Sequence, residues 1–244
     1  TILVEEGPTQ DSGGTAIGDI TENELNYEVM KDIEKTLKED GDYEVTVSHE
    51  GADYSPYFLQ YFENEEASIL AYRERKKRAY EKEYPQGVTT NDTDHNYASD
   101  RGVIELYGIN KWVHDNDVDL VVHAHFNDYP GRVPGDVGEH TGFSVFVPLK
   151  TNDHFIESFT LAKFIEQELL KHDSRSTVKK ESAGVMESEL IAVGQADSVE
   201  VPAVLVEGGF IYEERFTNPS KRSEALETIS DGIYRGIERY FENK

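Results

Sequence analysis

Apolar, β-branched runs alternate with amphipathic helical stretches along this chain, and that rhythm narrows its fold more than any other feature. The runs are Thr1–Val4 (TILV), Tyr43–Ser48 (YEVTVS), the Leu120–Val122 core of DLVVHAHFND, Phe143–Pro148 (FSVFVP), SELIAVG from Ser188, and Val201–Ile211 (VPAVLVEGGFI). Between them lie helical patterns. Leu25, Val29, Ile33 and Leu37 recur at helical spacing after a capping box of Thr21 and Glu24, and Gly41 stops that helix. SDRGVIELYGINKWVHDND carries Val103, Leu106, Tyr107 and Asn110 on one side. Ile156–His172 is amphipathic through Phe159, Leu161, Phe164, Ile165 and Leu169, and SEALETISDGIYRGIERYF is the last helix. Strand–helix alternation of this kind predicts a single α/β domain: a mostly parallel, twisted sheet with helices on both faces.

The rhythm breaks between about Gly51 and Thr93. SPYFLQYFENEEASILAYRERKKRAYEKEYP is tyrosine-rich, charged and helical until Tyr84–Pro85, and it reads as a helical insertion at the rim of the domain. Its basic turn, Arg73–Arg78 (RERKKR), is expected to be a solvated helix face, because the chain as a whole is strongly acidic. Across 244 residues, 49 acids against 24 bases leave a net charge of −25, which excludes the basic footprint a nucleic-acid partner needs. It also disfavours anionic membrane surfaces. With no cysteine there is neither a disulfide nor a thiolate site, so any metal must be held by histidine and carboxylates. No run approaches the ~20 apolar residues of a membrane span, and no signal peptide is present. The chain starts at Thr1 without a methionine, and a leader or anchor removed upstream is expected.

Two histidines at the end of one strand focus the search for chemistry. Residues i and i+2 of a strand leave the same face, so His123 and His125 point to one side. Alone, such a pair is more often two hydrogen-bonded core histidines than a metal site. In parallel α/β sheets, however, ligands bind beyond the carboxyl ends of the strands. That rule gathers the polar loop after Val4, the HAHFND strand end and the VEGGF strand end into one region. Glu207 closes an apolar run and is followed by Gly208 and Gly209, which allow close approach. A carboxylate there is costly unless paired or functional.

With these pieces in order, the chain resembles the zinc-dependent N-acetylmuramoyl-L-alanine amidases of bacterial cell-wall metabolism. ITENELN is similar to the family's helix-opening segment, SDRGVIELYGIN to the helix before its histidine strand, HAHFND to an SIHAN-like strand end, and PAVLVEGGFIYEERFTNP to its late glutamate signature. The resemblance spans most of the chain outside 51–93. It implies one zinc ion, with Glu22 and His125 as ligands, Glu207 as the catalytic carboxylate, and Asn127 and Arg101 holding the shape of the site. It implies peptidoglycan or muropeptides as the partner, and an extracellular or cell-envelope location.

One departure stands out. The family carries a metal-binding histidine directly after the glycine of its first loop, and here Gly7 is followed by Pro8. His123 is placed as the substitute third ligand, since a strand His–X–His pair can grip one divalent ion and leave a position open for water. His95, Asp11 and Glu5 are its rivals. Two other readings stay open: a degenerate, non-catalytic peptidoglycan-binding domain, and another zinc hydrolase such as a carboxypeptidase or N-acylamino-acid amidohydrolase.

Overall fold

Ile2, Leu3 and Val4 are almost wholly inaccessible, as are Leu120, Val121 and Val122, and Ala203, Val204 and Val206. Runs buried on both faces belong to interior strands, and here they form the middle of a six-stranded sheet. The computed structural model describes residues 1–5, 14–51, 53–85, 100–129, 132–133 and 135–244. In chain order its elements begin β1 (Ile2–Glu5), β2 (Ala16–Ile17), β3 (Ile20–Thr21), α1 (Glu22–Asp40), β4 (Val45–Val47), β5 (His49–Glu50) and β6 (Asp53–Tyr54). Next come α2 (Pro56–Glu83), α3 (Asp100–Asp115), β7 (Leu120–Asn127), β8 (Ser144–Val147), α4 (Phe155–Leu169) and β9 (Val185–Glu187). The chain closes with β10 (Ala203–Phe210), α5 (Glu214–Thr217) and α6 (Pro219–Glu242).

The sheet order is β4-β1-β7-β10-β8-β9. Strands β4, β1, β7 and β10 run parallel; β8 is antiparallel to β10, and β9 runs alongside β8. The mostly parallel α/β sheet expected from the alternation is therefore the observed one. Side chains alternate across it. Ile2, Val4, Leu120, Val122, Val204 and Val206 face one core with α1, α4 and α6, while Leu3, Val121 and Ala203 face a second core with α2 and α3.

The second core revises the place given to the tyrosine-rich stretch. Helix α2 is not a rim feature: it buries Phe58, Phe62, Ile69 and Tyr72 against Tyr107 and Trp112 of α3. Each such side chain contributes ~1.5–3 kcal/mol on burial, so α2 is a structural layer of the sheet. Periodicity alone hides this because charged residues surround the apolar positions. Its basic turn is not merely solvated either. Lys76 pairs with Glu200, and the Arg73 and Arg75 guanidinium groups lie 5.9 and 5.3 Å over the Tyr107 and Tyr72 rings.

SELIAVG is also revised. Ile191–Val193 forms a 3-10 turn instead of a strand, and the edge strand is β9, a few residues earlier. Asn110 of α3 holds that turn, its Nδ2 donating to the Ile191 carbonyl (2.9 Å) and to Ser198 Oγ (2.8 Å). A four-residue apolar run carries too little periodicity to distinguish the two forms. Among the described residues, no helix is long and apolar enough to cross a membrane.

Candidate metal and catalytic site

The parallel strands β1, β7 and β10 end at the same edge of the sheet, and their register decides which side chains meet. Glu5 pairs with His123 across β1 and β7, and Glu207 pairs with His125 across β10 and β7. By the strand period, Glu5, His123, His125 and Glu207 all leave the face that carries Leu3, Val121 and Ala203. Four ionisable groups thus stand side by side at the carboxyl ends of three central strands.

Glu22 reaches the same place from α1. The capping box forms: Glu24 N donates to Thr21 Oγ1 (3.3 Å), and Thr21 N donates to Glu24 Oε2 (3.2 Å). Glu24 is thereby occupied with the helix end. Glu22, at the first helical position, turns towards the strands; its Oε2 accepts from Thr15 N (3.1 Å) and its Oε1 lies 3.1 Å from His125 Nδ1.

A second carboxylate–imidazole pair sits deeper. Glu5 Oε2 lies 2.6 Å from His123 Nδ1, and both side chains are fully buried. The Tyr54 hydroxyl donates to Glu5 Oε1 (3.2 Å), and the His49 ring stacks on Tyr54 with centroids 4.1 Å apart. His49 Nδ1 is 2.7 Å from Ser48 Oγ. One donor atom each from Glu5, His123 and His125 lies within 4.8 Å of the other two. Glu22 joins this group through His125.

The electrostatics favour a cation. Burial draws the His125 pKa down, but the Glu22 contact and the charges of Glu22, Glu207 and Glu5 raise it to about 9. Burial would raise Glu5, yet His123, with lesser help from His49 and His125, holds it at about 2. Burial lifts Glu207 to about 8 against the pull of His125, with Glu22 and Glu181 adding to the rise. His49 is pushed down to about 4, burial outweighing Glu5 and Asp53. Glu22, Glu207 and Glu5 thus all bear on His125, and the negative surroundings that favour a proton on its ring would also favour a dication beside it. In this group His123 Nε2, His49 Nε2 and Glu207 Oε2 are buried without a hydrogen-bond partner among the described residues. Buried polar atoms are rarely left so, and imidazole nitrogen with carboxylate oxygen is the donor set zinc takes without thiolates. The residues present fit such an ion.

Glu207 is positioned by an irregularity in β10, whose register shifts between Glu207 and Phe210. Gly209 has a φ of 154°, a conformation strained for any residue with a Cβ, and a Cβ there would also crowd Arg215, Glu213 and Phe216. Asn127, the last residue of β7, donates through Nδ2 to Glu181 Oε2 (3.4 Å), which also accepts from Ser176 Oγ (2.8 Å). Arg101 pairs with Glu105 one turn along α3 (2.7 Å). Pro8, Asp11 and His95 lie outside the described residues.

Three participants escape sequence reasoning. His49 and Tyr54 lie on the β5–β6 hairpin, which is drawn over the end of β1 by Ser48 N donating to the Val4 carbonyl (3.1 Å). Nothing local distinguishes a histidine in VSHEGADY from a surface one. Glu181 sits in KKESAG and reads as a surface charge until the fold brings it near enough to act on Glu207.

The family model for N-acetylmuramoyl-L-alanine amidase matches residues 2–239. Among solved structures, the chain is similar to the N-acetylmuramyl-L-alanine amidase Ami1 from Mycobacterium smegmatis, with 15% identity and a TM-score of 0.65, covering 100% of this chain and 97% of that one. It is similar to the CwlD amidase from Clostridioides difficile, solved in complex with the GerS lipoprotein, at 16% identity and a TM-score of 0.62, over 100% and 98% of the two chains. Ami1 from Mycobacterium abscessus aligns at 15% identity and a TM-score of 0.63, over 98% and 97%. None of the curated protein sequences matches. At these identities the solved structures speak for the fold, whereas the family model spans nearly every residue: the chain belongs to the N-acetylmuramoyl-L-alanine amidase family.

Proposed function

We propose that this protein is a metal-dependent amidase of peptidoglycan, hydrolysing the amide between the lactyl group of N-acetylmuramic acid and the L-alanine of the stem peptide. The observation that carries the reading is the placement of Glu207: a carboxylate in register with His125 at the strand ends, with one buried oxygen that has no partner among the described residues. His125 is the donor common to every grouping, with Glu22 on one side and His123 on the other. One zinc ion there would polarise the amide carbonyl and lower the pKa of a bound water towards ~7.

The chain's own residues supply the proton chemistry. Glu207 takes the proton of the attacking water as the new C–O bond forms, then gives it to the alanine nitrogen as the C–N bond breaks. Carboxylate and amine are the products, and Glu207 is restored. A cation beside Glu207 opposes the effect of burial and favours the ionised form it needs as a base. Asn127 holds Glu181, one of the acids that set the charge around Glu207. The substrate class places the protein outside the cell or in its envelope, acting on peptidoglycan or released muropeptides.

Glu207→Gln tests this. It should retain zinc while muropeptide cleavage, followed as peptide with a free alanine amine by mass spectrometry, falls about 10³-fold, as expected when a positioned acid–base group is lost. Muropeptide binding without cleavage by the zinc-loaded wild type would instead support the non-catalytic reading. Turnover by Glu207→Gln at the wild-type rate would overturn the assignment of the base.

A further inference from the structure

Taking the amidase reading as its basis, we propose that Glu5 is itself a cation ligand, completing a seat with His123 and His125, and that Glu22 is the carboxylate that orients His125. Proximity is the first support. Glu5, His123 and His125 each bring a donor atom within 4.8 Å of the other two, whereas Glu22 is placed by its 3.1 Å contact with His125 Nδ1. An imidazole that binds a metal through one ring nitrogen usually donates its other N–H to a carboxylate or carbonyl. Glu22 provides that partner and leaves the other nitrogen of His125 for the ion.

The deeper pair is built like the inside of a metal site. Glu5 Oε2 and His123 Nδ1 lie 2.6 Å apart, which fixes the carboxylate and the ring against each other at one place. His123 is 0% exposed, and its Nε2 has no partner among the described residues. The other oxygen of Glu5 accepts from the Tyr54 hydroxyl, and Tyr54 is itself backed by the His49 ring. Outer partners of this kind fix the direction of a ligating carboxylate. A buried ion pair on an interior strand adds little stability over an apolar pair of the same size, so the fold alone does not explain Glu5 and His123. In this arrangement β1 contributes a ligand from the strand itself, and the site needs no imidazole where Pro8 stands.

The test reads metal binding, not activity alone. X-ray absorption on the zinc-loaded wild type should count two imidazoles at the metal. Competition with a chromophoric chelator should show Glu5→Gln binding zinc at least about 10³-fold more weakly. Glu22→Gln should lose only about 10–100-fold, the range for an outer partner. Tyr54→Phe, which leaves every ligand in place, should weaken binding about 10-fold, and far-UV circular dichroism checks that each variant is folded. A single imidazole in the wild type, or unchanged zinc affinity in folded Glu5→Gln, overturns the proposal. If Glu5→Gln does not fold, Tyr54→Phe still decides it, since unchanged zinc affinity in that folded variant overturns the proposal. Muropeptide cleavage is scored separately. Zinc held by two imidazoles in a protein that cuts no muropeptide refutes the amidase reading and leaves the ligand assignment standing; cleavage by a protein whose zinc affinity ignores Glu5 does the reverse.

Discussion

His123 and His125 leave one face of β7, and each meets its own carboxylate: Glu5 at the buried one and Glu22 at the one nearer solvent. Their shared direction is legible in the letters HAH, because strand geometry allows no other outcome. Glu22 is legible too, once the capping box assigns Glu24 to the helix end. What the letters do not carry is which carboxylate meets which imidazole, since that depends on the register of β1 against β7. His49 is hidden for the same reason, its burial arising only when the hairpin closes over β1. Its neighbours set its titration: burial dominates, Glu5 and Asp53 favour the charged ring, and His123 and His125 oppose it, leaving a pKa of about 4. The unfolded chain binds a proton near pH 6.5 that the folded chain refuses, so stability falls as pH drops from about 6.5 towards 4. Between pH 7 and pH 5 this one ring should cost about 2 kcal/mol. Urea unfolding at both pH values should show the wild type losing that much more stability than His49→Gln. Equal losses would mean that the folded protein accommodates a charged ring.

At the scale of elements, long periodic segments are legible and short ones are not. Helices α1, α4 and α6 lie close to their expected spans because their apolar stripes run over several turns. The SELIAVG turn and strand β9 are easily exchanged because neither is longer than a few residues. Helix α2 is plain as a helix, yet its place over the sheet depends on packing against α3, which no local pattern encodes. The close approach of α4 and α6 is similarly invisible until the two meet. A Cβ at Gly236 would lie 2.4 Å from Ile165 Cγ1 and 2.7 Å from Ile165 Cα. Backbone cannot yield as a side-chain tip can, so Gly236→Ala should push the helices apart despite its better helix propensity. Overpacking of this kind typically costs ~1–3 kcal/mol, whereas alanine at an unconstrained helical glycine gains up to ~1 kcal/mol. Chemical denaturation of Gly236→Ala distinguishes the two, and a stabilised variant would show that the α4–α6 contact is looser than described.

Over the whole molecule, the dominant quantity is the net charge of −25. Part of the acid excess is balanced locally, as where Glu168 meets Lys171 and Arg239, or Glu166 meets Lys163 and Arg175. With twice as many acids as bases, cations are too few to go round, and the surplus carboxylates repel one another across the surface. Compaction brings these charges together, so self-repulsion weighs against the folded state more than the extended one. Salt shortens the reach of that repulsion, from a Debye length of about 10 Å at 0.1 M to about 3 Å at 1 M. With zinc held saturating, raising sodium chloride from 0.05 to 1 M should therefore lift Tm by ~5 °C, the equivalent of ~1–2 kcal/mol in a domain of this size. Surface ion pairs pull in the opposite direction, since salt weakens them also, but exposed pairs contribute only ~0–1 kcal/mol each. The outcome turns on which population is larger, and 49 acids against 24 bases put the repelling one ahead. A neutral osmolyte at matched osmolality separates screening from solute exclusion: if sucrose raises Tm as much as sodium chloride, the charge argument fails, and if only the salt does, the acidic surface is what the salt relieves.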